Sequence, residues 1–126
     1  MDTEILFFFN EHMDALPLYQ RLETLILEQI PDVRIKVSKT QIGFFNKRGF
    51  AFVSFNPCRR AKDRPETWMT VTFGLAFRVD DPRIDVATEP YPNRWTHHVT
   101  VSRVEDMDGQ LLGWIREAAV FAASKR

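Results

Sequence analysis

A chain of 126 residues, 44% apolar and 27% charged, has the size and composition of one ordinary globular domain, which excludes a disordered, fibrous or membrane-spanning polypeptide. Its 17 basic and 17 acidic side chains cancel but are segregated: residues 1–31 carry one Arg and six acids (−5), residues 32–64 nine Lys/Arg and two Asp (+7), and residues 65–126 seven basics and nine acids (−2). A uniformly basic nucleic-acid binder is thereby excluded, and any anionic partner is directed to the middle segment.

In chain order, the first 31 residues read as helical. Ile5–Asn10 suits a short helical turn capped by Asp2 or Thr3, or alternatively a strand, since three consecutive Phe are permissive for both. Tyr19, Leu22, Ile26 and Ile30 then recur at spacings of three and four, widened by Leu18 and Leu25, and predict an amphipathic helix. Asp14 is its expected cap, Pro17 falls in its first turn, and Pro31-Asp32 ends it. From residue 33 the period changes to two, with Val33, Ile35 and Val37 alternating with Arg34, Lys36 and Ser38. Two further strands, Ile42–Asn46 and Phe50–Phe55, flank a tight Lys47-Arg48-Gly49 turn and complete a meander. Asn56–Glu66, with two prolines and four basic residues, is a loop.

The cleanest strand pattern follows: Met69, Val71, Phe73, Leu75, Phe77 and Val79 alternate with Trp68, Thr70, Thr72, Gly74, Ala76 and Arg78. Asp80-Asp81-Pro82 makes a turn, Arg83–Ala87 a short strand, and Thr88–Asn93 an irregular loop. Arg94–Ser102 alternates again, placing Trp95, His97, Val99 and Val101 on one side. A last helix runs from Asp106 or Asp108 to Ser124 on Leu111, Ile115, Ala118 and Ala122. The expectation is a single α+β domain over 1–126: an antiparallel sheet of about five strands with the N- and C-terminal helices packed on one face. Trp68, Thr70, Thr72 and Gly74 then lie on the other face beside Lys36, Arg94 and His98.

No secretion signal or membrane span is expected. The apolar run Ile5–Phe9 is preceded by Asp2 and Glu4, where a secretion signal would place Lys or Arg. No stretch approaches the roughly 18 apolar residues of a membrane span. A single cysteine, Cys58, cannot close an intrachain disulfide, so the expected compartment is the cytoplasm.

The segments Val33–Ile42, Gly49-Phe50-Ala51-Phe52-Val53, Asp81-Pro82-Arg83-Ile84, Arg94-Trp95-Thr96-His97-His98-Val99 and Gly113–Ala118 together resemble the domain of unknown function family numbered 5655. The resemblance runs in order over nearly the whole chain. It implies a small, bacterial, intracellular domain found alone or attached to other modules, and it implies no established activity.

Several residue groups carry candidate chemistry. Arg48-Gly49-Phe50-Ala51-Phe52-Val53-Ser54-Phe55 fits at every position the octapeptide of RNA-recognition motifs, whose inner aromatics stack on unpaired bases while the leading cation meets phosphate. With Arg59 and Arg60 it makes the hairpin 47–55 a candidate single-strand surface. Against this, an RNA-recognition motif requires a helix after that strand, and the blander reading has the Phe residues filling the core. Lys36, Arg83, Arg94 and His98 form a second candidate. If the last strand lies near the first, Lys36, Arg94 and His98 converge as an anion pocket walled by Trp68 or Tyr91; the bland alternative is cross-strand polar decoration.

His97 and His98 point to opposite faces and cannot share a metal, and His97 reads as a hydrogen-bonded core histidine. One Cys and no helical His pair make a zinc site unexpected, and no glycine-rich cofactor loop occurs. Arg59 and Arg60 could lower the Cys58 pKa, but no positioned base accompanies it, so no catalytic residue is assigned. The resulting expectation is a non-enzymatic binding or interaction module with an anion-binding polar sheet face, taking an anionic ligand or a protein partner and compatible with a homodimer. The alternatives are an enzyme using His98, Arg94 and Lys36 on a phosphorylated or carboxylated small molecule, and a single-stranded nucleic-acid binder.

Overall fold

The computed structural model describes residues 2–124. Asp2 begins helix α1 (Thr3–Phe8), its carboxylate accepting from the Glu4 N–H at 2.7 Å, a side-chain cap for an otherwise orphaned donor. A 3₁₀ turn at Met13–Ala15 leads into α2 (Leu16–Gln29), with Pro17 in the first turn, where its missing N–H removes no helical bond. Asp14 is not the cap of α2: its carboxylate instead accepts the Thr67 hydroxyl at 2.7 Å. Ile30 leaves the helix in an extended conformation and Asp32 adopts a positive φ of 58°, which reverses the chain into the sheet.

Six strands follow: β1 (Arg34–Val37), β2 (Gln41–Phe45), β3 (Gly49–Ser54), β4 (Met69–Leu75), β5 (Val86–Tyr91) and β6 (Arg94–Val101). They form one antiparallel sheet in the order β1-β2-β3-β4-β6-β5. The architecture is α+β as expected, and the strand placed at Arg83–Ala87 lies instead at Val86–Tyr91, mostly in the stretch read as loop from its prolines, where it pairs with β6. Pro90 is accommodated because β5 is an edge strand and its pairing slips between Thr88 and Tyr91. Pro92 and Asn93, the latter at φ 61°, close the hairpin, a pairing of residue types that suits a type II turn.

Strand β4 stops at Leu75 rather than running to Val79. Its partners run out, since β6 pairs no further than Trp95 opposite Leu75 and β3 no further than Ala51 opposite Phe73. Phe77, whose spacing placed it in the core, is consequently 53% exposed. Helix α3 (Gly109–Ser124) starts where the Asp108 carboxylate accepts the Leu111 N–H at 3.0 Å.

Helices α2 and α3 cover one face of the sheet. Tyr19 stacks over Phe44 at 6.2 Å, and Trp114 over Phe73 at 5.7 Å. Ile42, Phe44, Val53, Val71, Phe73, Val99 and Val101 point into this layer and are buried, meeting Leu22, Ile26, Leu111 and Ile115. His97 lies among them with 0% exposure, parallel to Phe73 at 5.0 Å. Its Nε2 accepts the Val79 N–H at 2.9 Å, which fixes the proton on Nδ1. Burial pushes its pKa down, against a weaker opposing pull from the backbone of Phe73 and Trp95.

Candidate functional site

The side of the sheet away from the helices is built by alternation. Across the strands, Lys36 pairs with Gly43, Gly43 with Phe52, Phe52 with Thr72, Thr72 with His98 and His98 with Val86, so one transverse row crosses the whole sheet. Arg34, Phe45, Gly74 and Thr96 occupy the same face one row away. The open-face positions of β1–β4 and β6 carry no carboxylate.

Phe45 and Phe52 are half-buried and meet edge to face at 5.9 Å and 88°. Their rings occupy the space above two glycines. A Cβ on Gly43 would sit 2.6 Å from Phe45 Cε1 and 3.1 Å from the Phe52 ring, and one on Gly49 would sit 2.6 Å from Phe52 Cζ. Any larger residue at either position would displace the rings, so the glycines define a recess that the two aromatics fill. Arg34 and Lys36 are exposed beside them, the Arg34 guanidinium donating to the Asn46 carbonyl at 2.7 Å. The Lys47-Arg48 turn bounds the face at the Phe45 end.

The opposite end is covered. Asn56 accepts the Thr70 hydroxyl at 2.7 Å through its carbonyl, and Arg59 pairs with Asp85 at 2.9 Å, so the basic loop after β3 folds back over Ser54 and Thr70. Asp85 in turn accepts the Thr100 N–H at 2.8 Å. Cys58 lies in this loop, and burial pushes its thiol up despite the nearby Arg59. The lowering that Arg59 and Arg60 could have produced is therefore outweighed by burial.

Lys36, Arg94 and His98 do not converge. Four strand spacings of about 4.8 Å separate Lys36 from His98, or about 19 Å. Arg94 lies four residues from His98 along β6, about 14 Å away, and rests over the Tyr91 ring at 6.0 Å. His98 is half-buried, shares a 2.8 Å hydrogen bond with Thr72 Oγ1, and has its pKa pushed down by desolvation. Trp68 packs edge-on against Phe55 and under Arg64, beyond the opposite end of the β4–β6 pair from Arg94. The pocket anticipated from these residues rested on β6 neighbouring β1, and the sheet order puts β2, β3 and β4 between them.

The octapeptide also folds differently from its namesake. Phe44 pairs with Ala51 and Phe45 with Gly49, so Phe50 is an extra residue in β3 and forms a bulge. It turns to the core, where it is 1% exposed, while Phe52 stays on the open face. The aromatic partner of Phe52 is thus Phe45 on the neighbouring strand. The signal for it was present in the alternation Gln41, Gly43, Phe45, but the bulge that removes Phe50 has no mark in the sequence. Arg48 and Arg60 are exposed on the two basic loops.

Arg83 belongs to a separate pocket of about 250 Å³, lined with Arg59, Arg103, Thr100, Ser102 and Asp106. Its guanidinium is committed to the start of α3, donating to Asp108 at 2.7 Å, to Gln110 at 3.2 Å and to the Asp106 carbonyl at 2.8 Å. Burial would raise the Asp106 pKa, but the N–H groups of Ser102 and Arg103 and the charges of Arg103 and Arg83 outweigh it and hold it low. With Asp85, Asp106 and Asp108 against its three arginines, this pocket is an internally neutralised clasp between loops. Both named ion pairs use acids of residues 65–126, and neither draws on the acidic N-terminal segment.

An open sheet face with two aromatics and flanking cations on β1–β3, backed by two helices, defines the α+β architecture of this domain. The family described as Domain of unknown function (DUF5655) matches residues 7–121, and the chain belongs to that family. No curated protein and no solved structure matches it. No helix among the described residues is long and apolar enough to cross a membrane.

Proposed function

We propose that the chain is a non-enzymatic binding module whose open sheet face takes an anionic ligand bearing a planar ring, with the cytoplasm as its compartment. The observation that carries this is the Phe45–Phe52 pair seated over Gly43 and Gly49, with Arg34 and Lys36 alongside and no carboxylate at the open-face positions of β1–β4. Stacking supplies the apolar contact and the two cations the charge complement. The separation of Lys36, Arg94 and His98 leaves the enzyme reading without a meeting point for its three groups.

The test is a chemical-shift titration of isotope-labelled protein with adenosine monophosphate and, separately, inorganic phosphate. Shifts centred on Phe45, Phe52 and Lys36 that require the ring-bearing ligand support the reading. Shifts confined to Arg59, Arg83 and Arg103, or equal responses to phosphate alone, would refute it.

A further inference from the structure

Resting on that reading of the open face, we infer that its ligand is single-stranded nucleic acid laid across Phe45 and Phe52. Four observations converge. First, residues 33–62 hold eight basic side chains and no acid, and six of them border one face or its two ends, while Lys39 lies beside α1 and Arg59 is paired with Asp85. Arg34 and Lys36 border the aromatics, Lys47 and Arg48 form the turn at one end, and Arg60 and Lys62 belong to the loop folded over the other. The two ends are separated by the six residues of β3, about 20 Å of extended chain. A cationic margin of that length suits a ligand with several phosphates better than a single anion.

Second, the two aromatics sit on adjacent strands of an open sheet, the placement from which successive unpaired bases can be stacked. Third, the middle of the face is uncharged and carries hydroxyls and an imidazole, Thr72, Thr96 and His98, that can serve as donors or acceptors without repelling phosphate. Fourth, the acids of residues 1–31 belong to the helical segment that packs behind the sheet, so the overall charge of zero conceals a cationic face. The octapeptide is consistent with this reading once the bulge is allowed for, because the bulge exchanges Phe50 for Phe45 as the partner of Phe52.

A flat open face with stacking aromatics favours unpaired bases over a duplex, whose bases are already stacked. Three phosphate contacts, from Arg34, Lys36 and Lys47, correspond to a salt slope of about −2 and about a 20-fold loss of affinity between 50 and 200 mM salt. Removing one stacking ring costs about five- to 150-fold.

The experiment is fluorescence anisotropy of a labelled ten-residue oligothymidylate with the full chain at 50, 100 and 200 mM salt. The duplex of the same length and unlabelled adenosine monophosphate serve as competitors. Phe52→Leu keeps an apolar filling above Gly43 while removing the ring, and Phe45→Leu does the same on β2; Val120→Ala, on the exposed side of α3, is the control. The expected result is binding that falls with the stated slope, weakens at least fivefold in each Leu variant whose melting temperature stays near the parent's, and is unchanged in Val120→Ala. Lys36→Gln, at an exposed strand position, is expected to lower both affinity and the salt slope without affecting folding.

Absence of oligonucleotide binding at 50 mM salt, equal competition by the duplex, or indifference to both Leu variants and to Lys36→Gln would overturn the inference. If the mononucleotide binds at Phe52 while the oligonucleotide binds no tighter, the nucleic-acid inference falls and the reading of the face stands. If neither binds, both fall.

Discussion

Replacing His97 by Phe separates the two things this residue does. Phe retains a flat ring against Phe73, at present 5.0 Å away and nearly parallel, but cannot accept the Val79 N–H. Leaving that donor without a partner costs about 1–3 kcal/mol. Part is returned, because the buried His97 Nδ1 has no hydrogen-bond partner among the described residues and its removal relieves desolvation. The net expectation at pH 7.5 is a loss of about 1–2 kcal/mol, or about 4–8 °C in melting temperature for a domain of this size.

The pH dependence carries a second signature. The folded pKa of His97 lies below its ordinary 6.5, so the unfolded chain takes up the proton first. The contribution is complete above about pH 6.5 and is lost as pH falls toward the folded pKa. The parent therefore loses up to about 1 kcal/mol at pH 5.5 through this one residue, and the variant loses none of it. Thermal unfolding followed by circular dichroism at pH 7.5, 6.5 and 5.5 should show the gap between the two proteins narrowing with acid. A variant as stable as the parent at pH 7.5, or a gap that widens on acidification, would refute the assignment of His97 as a neutral acceptor in the core.

Arg83→Ala removes three hydrogen bonds at the start of α3 and a guanidinium 6.0 Å from the Trp114 ring. Since Asp108 is half exposed, the expected loss is about 1–2 kcal/mol, read as a lower urea midpoint, and a midpoint unchanged within error would contradict the clasp. Cys58, its thiol pushed up by burial, should react with a thiol reagent at pH 7 more slowly in the native protein than in urea; equal rates would show that the loop is not folded over the sheet. Gly43→Val forces Phe45 and Phe52 to move and should destabilise by about 1–3 kcal/mol. A neutral effect in chemical denaturation would mean that the rings do not fill the glycine recess.

How far the sequence reaches is clearest from individual elements. The 3.6-residue stripe of α2, the alternation of β1, of β4 as far as Leu75 and of β6, and the assignment of His97 to the core follow from local periodicity, and the fold reproduces them. The chain order of strands says little about their order in the sheet. Strand β6 inserts between β4 and β5, and that long-range choice separates Lys36 from Arg94 and His98. Pro90 made β5 read as loop because local propensity carries no knowledge of which strand will be an edge. Phe50 and Phe52 share a parity in the sequence, and only the unpaired residue in β3 sends them to opposite faces.

Both edges of the sheet are defended. Strand β1 is four residues long with Arg34 and Lys36 projecting from it, and β5 carries Pro90, which has no N–H to offer a further strand. An extended peptide seeking backbone partners finds a short cationic margin on one side and an interrupted ladder on the other. Growth of the sheet into a neighbouring molecule is thereby discouraged at both ends, and the ligand proposed above would meet side chains on the flat surface rather than an open strand.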